Sequence, residues 1–234
     1  MLFSIRPSKQ SAIALVVTIA SAFALSGCIK LDMDMKVKGD TKIDGTMIVA
    51  FNEELMKSFE GMAGSMDTSK KKSKTPTTKQ KSFEEQTKDG VKQAQAGLPK
   101  GSTAKLYKKS GWLGQEITFK GQDASKVLEL GNDTTSKAGG STGNATDNKS
   151  TLSITKVGGK MILKGKLDMG GDTGTDSSGL DLGSMMKTMK PEMRIRFTFP
   201  GKVIKSNGKV SGKSVTWVPV LGKNLTMTAE ANAS

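Results

Sequence analysis

Ile29-Lys30-Leu31-Asp32-Met33-Asp34-Met35-Lys36-Val37 places an apolar residue at every odd position and a charged one at every even position. Successive side chains of a strand leave opposite faces of the pleat, so this stretch reads as a strand with one face in a core and one in water. After a Gly39-Asp40 turn, Thr41 to Phe51 alternates again through Ile43, Met47, Val49 and Phe51. Two alternating runs joined by turn residues predict an antiparallel hairpin. Asp32 and Asp34 share the polar face, and two carboxylates side by side are raw material for acid–base chemistry. The lysines flanking them on that face favour a solvated, charge-balanced strand instead.

The period changes to helical beyond this hairpin. Asn52 is placed to cap a helix carrying Leu55, Phe59, Met62 and Met66, with Glu53 and Glu54 in the first turn, where the helix dipole favours negative charge. Residues 67 to 81 are lysine-rich around Pro76 and show no apolar period, so they read as a basic loop, either a plain linker or a contact with an anionic surface. Ser82 and Glu85 have capping-box spacing for a second helix, which Gly97 and Pro99 stop. Strands follow over 103–109 and 112–120, joined at Ser110-Gly111, and then a turn or two of helix over 124–130. Another hairpin pairs 152–157 with 160–168 through Gly158-Gly159. Residues 131–150 and 170–179 are Gly-, Ser-, Thr- and Asp-rich and read as insertions.

The segment before the first strand has the three parts of an export signal: Arg6 and Lys9, an apolar stretch from Ala12 to Leu25, and small residues before Cys28. That stretch is 14 residues long, short of the ~20 that a permanent membrane-spanning helix needs. Leu25-Ser26-Gly27-Cys28 fits the lipobox of bacterial lipoproteins at all four positions. Residues 1–27 are therefore expected to be a signal peptide, and 28–234 one extracytoplasmic domain held to the cell membrane by acyl chains on Cys28. No later apolar run approaches a membrane span, so Cys28 is expected to be the sole anchor.

Composition narrows the chemistry. The chain carries a net charge of +14, and loss of Arg6 and Lys9 with the signal leaves +12. On an exported protein that charge favours anionic lipid surfaces over nucleic acid, whose single strands also need aromatic stacking platforms that are scarce here. There is no histidine and only one cysteine. Cys/His zinc sites, Ser-His-Asp and Cys-His nucleophilic machinery and intramolecular disulfides are thereby excluded. No phosphate-cradling glycine loop occurs in a strand-to-helix setting. No cofactor or metal is expected, and the one catalytic class left formally open is a carboxylate-only hydrolase, whose distant carboxylates a sequence does not pair. With aromatics at 5 % of residues, the core must rest on aliphatic side chains and the 14 methionines. The expected fold class is α+β, a twisted antiparallel sheet of hairpins with two or three covering helices.

In the C-terminal third, Met193, Ile195, Phe197 and Phe199 alternate with Arg194, Arg196 and Thr198. The chain continues Phe199-Pro200-Gly201-Lys202-Val203, then Ser206-Asn207-Gly208-Lys209-Val210, then Val215-Thr216-Trp217. Pro200-Gly201 breaks a strand, Asn207-Gly208 is a type I′ hairpin signal, and Trp217 reads as a structural core aromatic. Behind a lipobox and a strand-rich first half, this series resembles the LppM family of actinobacterial envelope lipoproteins. The resemblance implies a lipid-binding-like α/β domain without enzymatic activity and with affinity for envelope glycolipids such as phosphatidylinositol mannosides. Family members often end in a transmembrane helix, which is not seen before Ser234. Leu182, Met185, Met186 and Met189 have helical spacing up to Pro191, forming either a core-facing helix or a deformable surface for acyl chains. The expected ligand site is an apolar pocket between sheet and helices, with Met185, Met186 and Met189 as lining and Arg194 and Arg196 as headgroup contacts. The alternative is an accessory protein of an envelope complex, with no lipid pocket.

Overall fold

The structure is a computed structural model and describes residues 29–58, 81–128, 150–168, 191–220 and 223–233. The alternating opening stretch is strand β1 (Ile29–Val37), paired antiparallel with β2 (Ile43–Asn52). Asn52 caps helix α1 (53–58), its Oδ1 accepting from the N–H groups of Glu54 and Leu55, each at 3.1 Å. Ser82 and Glu85 form the reciprocal capping box of α2 (Phe83–Gly97). β3 (Ser102–Lys109) and β4 (Trp112–Gln122) follow, turning at Ser110-Gly111, where both residues take positive φ. A short helix α3 (124–128) buries Ala124, Val127 and Leu128. β5 (Thr151–Val157) and β6 (Lys160–Leu167) make the hairpin expected at Gly158-Gly159. The C-terminal third supplies β7 (Glu192–Thr198), β8 (Val203–Ser206), β9 (Lys209–Ser211), β10 (Ser214–Trp217) and β11 (Leu225–Asn232).

The class is α+β as expected, but the strands divide into two sheets, ordered β3-β4-β2-β1-β7-β10-β9 and β5-β6-β11-β8. The larger sheet is not wholly antiparallel, because β1 and β7 run parallel. Inward side chains of both sheets join one buried cluster, including Met33, Met35, Ile117, Phe119 and Phe197 from one and Leu152, Met161, Leu163 and Met227 from the other. Each such side chain removed from water stabilises the fold by about 1.5–3 kcal/mol, so a core poor in aromatics still suffices. β11 is an additional strand whose inward positions are Met227, Ala229 and Ala231.

Asn207-Gly208 does not turn a hairpin. Neither residue has positive φ, which a type I′ turn requires at both central positions. The flanking strands belong to different sheets, β8 pairing with β11 and β9 with β10. Asn207 is instead a clip at the corner where the chain changes sheets. Its Oδ1 accepts from Trp217 Nε1 at 2.8 Å and from the Thr228 N–H at 2.9 Å, and its Nδ2 donates to the Thr226 carbonyl at 2.8 Å. Gly208 is required by contact, since a Cβ there would lie 2.7 Å from both Trp217 Nε1 and Val215 Cγ1. The positive-φ turn comes one step later, at Gly212 between β9 and β10. Trp217 is buried and meets Phe197 edge-on at 6.1 Å, in accord with a structural role.

Helix α2 lies against β3, an edge of the larger sheet, with none of its residues fully buried. Phe83 meets Phe51 edge-on at 6.0 Å, and Gln95 Oε1 accepts the edge N–H of Ala104 at 2.7 Å. Covering an edge donor in this way blunts pairing with another chain. Lys108 of β3 binds Glu84 at 2.7 Å, and hydrogen bonds from Lys108 and Lys88 bring the Glu84 carboxyl down to about 2.

Asn207→Ala leaves the buried indole N–H without its acceptor, and the expected loss is about 2 kcal/mol, a fall in melting temperature of ~4–8 °C by calorimetry. Because the folded Glu84 pKa lies below its unfolded value of 4.5, its contribution is complete above that pH and fades as pH falls toward about 2. The denaturation midpoint measured across that window should fall less steeply in Glu84→Gln than in the parent.

Candidate functional site

The charged face of β1 does not look into open water alone. Residues of β4, β2, β1 and β7, most of them outward-facing, line a shallow concavity of about 460 Å³, formed by Asp32, Asp34, Lys36, Asp44, Gly45, Thr46, Ile48, Thr118, Lys120 and Arg194 together with the inward-facing Phe119. Strand register sets its rows. Thr118, Thr46, Asp34 and Arg196 stand side by side across four strands, and Glu116, Ile48, Asp32 and Arg194 form the next row. Gly45 opens the inner end, where β2 and β4 shift register and where a Cβ would fall 2.6 Å from the Asp34 carbonyl and 3.0 Å from the Phe119 ring.

The carboxylates of β1 find their partners on β7, not among the neighbouring lysines. Arg194 grips Asp32 with two nitrogens, Nε to Oδ1 at 3.0 Å and Nη2 to Oδ2 at 2.7 Å. Arg196 Nη2 bonds Asp34 Oδ2, and that hydrogen bond raises the guanidinium pKa further. Lys30 completes the series with Glu192 at 2.8 Å. The solvated, lysine-balanced face expected from the sequence is thus replaced by a ladder of three cross-strand ion pairs. Its signal is present in the sequence: Lys30-x-Asp32-x-Asp34 and Glu192-x-Arg194-x-Arg196 are complementary position by position, each pair 162 residues apart. Asp44, at the far end, is pushed up by burial, but the Lys38 ammonium and the Gly121 N–H outweigh this and hold it below the usual carboxylate range.

Of the site residues expected from sequence, Arg194 and Arg196 stand on the outward face of β7, with Arg194 in the concavity lining and both already held by carboxylates. The Arg196 Nε is buried and has no hydrogen-bond partner among the described residues. Leu25, Ser26, Gly27 and Cys28 of the lipobox, and Met185, Met186 and Met189, lie outside the described residues, as do most of the three insertions. The concavity is lined by carboxylates, ammonium groups, a guanidinium and threonine hydroxyls, with Ile48 and Phe119 as apolar floor. Because the stems of the charged side chains add to Ile48 and Phe119, most of the exposed lining is apolar carbon with the charged and hydroxyl groups set among it. Among the described residues, no helix is long and apolar enough to cross a membrane.

The profile of the LppM domain matches residues 30–233, which is nearly the whole chain. The chain belongs to the LppM family of lipoproteins. Among solved structures, the NMR structure of the folded domain of Mycobacterium tuberculosis LppM is similar at 16 % identity with a TM-score of 0.47. That match covers 88 % of this chain and 91 % of the mycobacterial domain. No curated protein matches. The LppM profile runs from the first ladder residue, Lys30, to beyond β11, so the concavity lies wholly within it.

Asp32→Arg sets like charges opposite one another at the Asp32–Arg194 register position, and about 1 kcal/mol of stability should be lost. The double exchange Asp32→Arg with Arg194→Asp should regain most of it. Chemical denaturation of the four corners of this cycle measures the coupling.

Proposed function

We propose that this LppM-family protein is a non-catalytic lipoprotein of the cell envelope. Acyl chains on Cys28 hold it to the extracytoplasmic face of the membrane, and its concave sheet face binds the polar headgroups of envelope lipids. The observation that carries this reading is the concavity itself: about 460 Å³ of space across four strands, with carboxylate, ammonium, guanidinium and hydroxyl groups set among apolar carbon. Sugar hydroxyls both donate and accept, so they match a lining in which carboxylates accept, ammonium groups donate and threonines do both. The resemblance to LppM proteins points to glycosylated phosphatidylinositols as the ligand class. The lining contains no histidine or cysteine, and its Asp32 and Asp34 carboxylates are occupied by arginines, an arrangement for holding charge in place.

The accessory-protein reading draws on the same ion pairs. Arginines already neutralised by Asp32 and Asp34 have less to offer a phosphate, and an open charged face is also a fit for a protein partner.

Native mass spectrometry of the detergent-extracted protein after exposure to an envelope lipid extract tests the two readings. A bound glycolipid mass is expected on the parent protein. It should disappear in Thr46→Trp, which fills the middle of the concavity from an outward position. Recovery of the parent with no lipid leaves the accessory role.

A further inference from the structure

The outward face of the larger sheet changes character toward the end where β1 begins. β4 runs parallel to β1 through their shared antiparallel neighbour β2, so Trp112 stands at the same end as Ile29. β10 runs antiparallel to β7, which is parallel to β1, so the residues after Trp217 head for that end too. There the in–out alternation continues beyond the strand: Pro219 is buried, while Val218 and Val220 are 67 % and 52 % exposed. Lys223, whose N–H closes a turn onto the Val220 carbonyl, and Lys109, beside Trp112 in the register, carry no ion pair among the described residues. Lys30 lies between these two groups and places its ammonium 5.3 Å over the Trp112 ring. From Trp112 on β4 to the chain leaving β10 is four strand spacings, or ~19 Å.

We infer that this end of the sheet is a second membrane contact, with Val218 and Val220 entering the headgroup–acyl boundary of an anionic bilayer while Lys109 and Lys223 meet its phosphates. Three observations select a bilayer over another occupant. The chain outside the described residues ends one residue before β1, in a cysteine placed for acylation, so the anchor and the valines share one end of the sheet. Unpaired lysines beside exposed aliphatic residues match the two layers of a membrane surface, each lysine near it contributing ~1 kcal/mol. Acyl chains attached at one residue leave the domain free to tilt and turn about that point, so a second contact fixes its orientation. The inference rests on the anchoring part of the proposed function and is independent of headgroup binding in the concavity.

The test uses the acylated full-length protein reconstituted in vesicles of phosphatidylcholine and phosphatidylglycerol. Single cysteines replace Val218, Val220 or Val157 and carry an environment-sensitive maleimide fluorophore, with the native Cys28 thiol blocked by its own acylation. Val157 is the control, being 60 % exposed beside Gly159, whose carbonyl binds Ala233 near Gly201 at the opposite end of the molecule. Labels at 218 and 220 should shift to the blue and lose most of their emission to doxyl-labelled lipid, while the label at 157 does neither. Labels at 218 and 220 that behave like the one at 157, whether all are quenched or none, would overturn the inference. Intact mass reports acylation of Cys28 separately, so failure of the anchor and failure of the contact are read apart.

Discussion

Everything else in the larger sheet is arranged around the parallel pairing of β1 with β7. Hairpins form locally and need only a good turn, but these two strands meet across 162 residues, and no connection of fixed length sets their register. The ion ladder supplies what the loop cannot. In parallel register Lys30 faces Glu192, Asp32 faces Arg194 and Asp34 faces Arg196. Reversing one strand about the same central pair would keep Asp32 with Arg194 but set Lys30 against Arg196 and Asp34 against Glu192, two like-charge contacts. Each half-exposed pair is worth at most about 1 kcal/mol, so the ladder adds little bulk stability; its effect is the difference between one right pairing and several wrong ones. The buried face agrees with it, since the same register sets Leu31 beside Met193, Met33 beside Ile195 and Met35 beside Phe197.

With β7 fixed, the chain after it holds the two sheets together. It leaves the larger sheet at Phe199-Pro200-Gly201, adds β8 to the smaller, returns as β9 and β10, and crosses again to β11. Gly201 sits so close to Asn232 that a side chain has no room. Asn207 then ties the Trp217 indole of one sheet to the backbone of β11 in the other. A polar clip is affordable at this corner because every group it uses has a partner, which removes the usual penalty for polar atoms near a core.

Local features were legible in the sequence and long-range ones only in part. The β1–β2, β3–β4 and β5–β6 hairpins and the Ser82–Glu85 capping box follow from alternation and end signals within about ten residues of one another. Asn207-Gly208 misleads because a dipeptide suited to a positive-φ turn is used for its side-chain bonds and its lack of a Cβ. β11 is hard to read because two of its inward positions are Ala229 and Ala231, which have little strand propensity and owe their burial to the opposing sheet. The concavity needs four strands from three parts of the chain. Arg194 was visible as a candidate, but Asp44, Thr46, Thr118 and Lys120 have no local mark that would single them out.

The position of the concavity along β1 constrains what can reach it on the proposed anchoring. Asp34 and its row partners Thr46 and Thr118 lie five residues beyond Ile29, which at ~3.3 Å per residue puts the centre of the concavity ~16 Å above the start of an upright strand. The polar layer on either side of a bilayer's hydrocarbon core is only ~5–7 Å deep. With the sheet upright, a simple phosphate headgroup in its resting position therefore falls short. A headgroup carrying several sugars projects far enough to span the difference while its acyl chains stay in the membrane. On the proposed anchoring and the inferred contact of Val218 and Val220, height above the bilayer would favour large glycosylated headgroups and would require no apolar tunnel through the core.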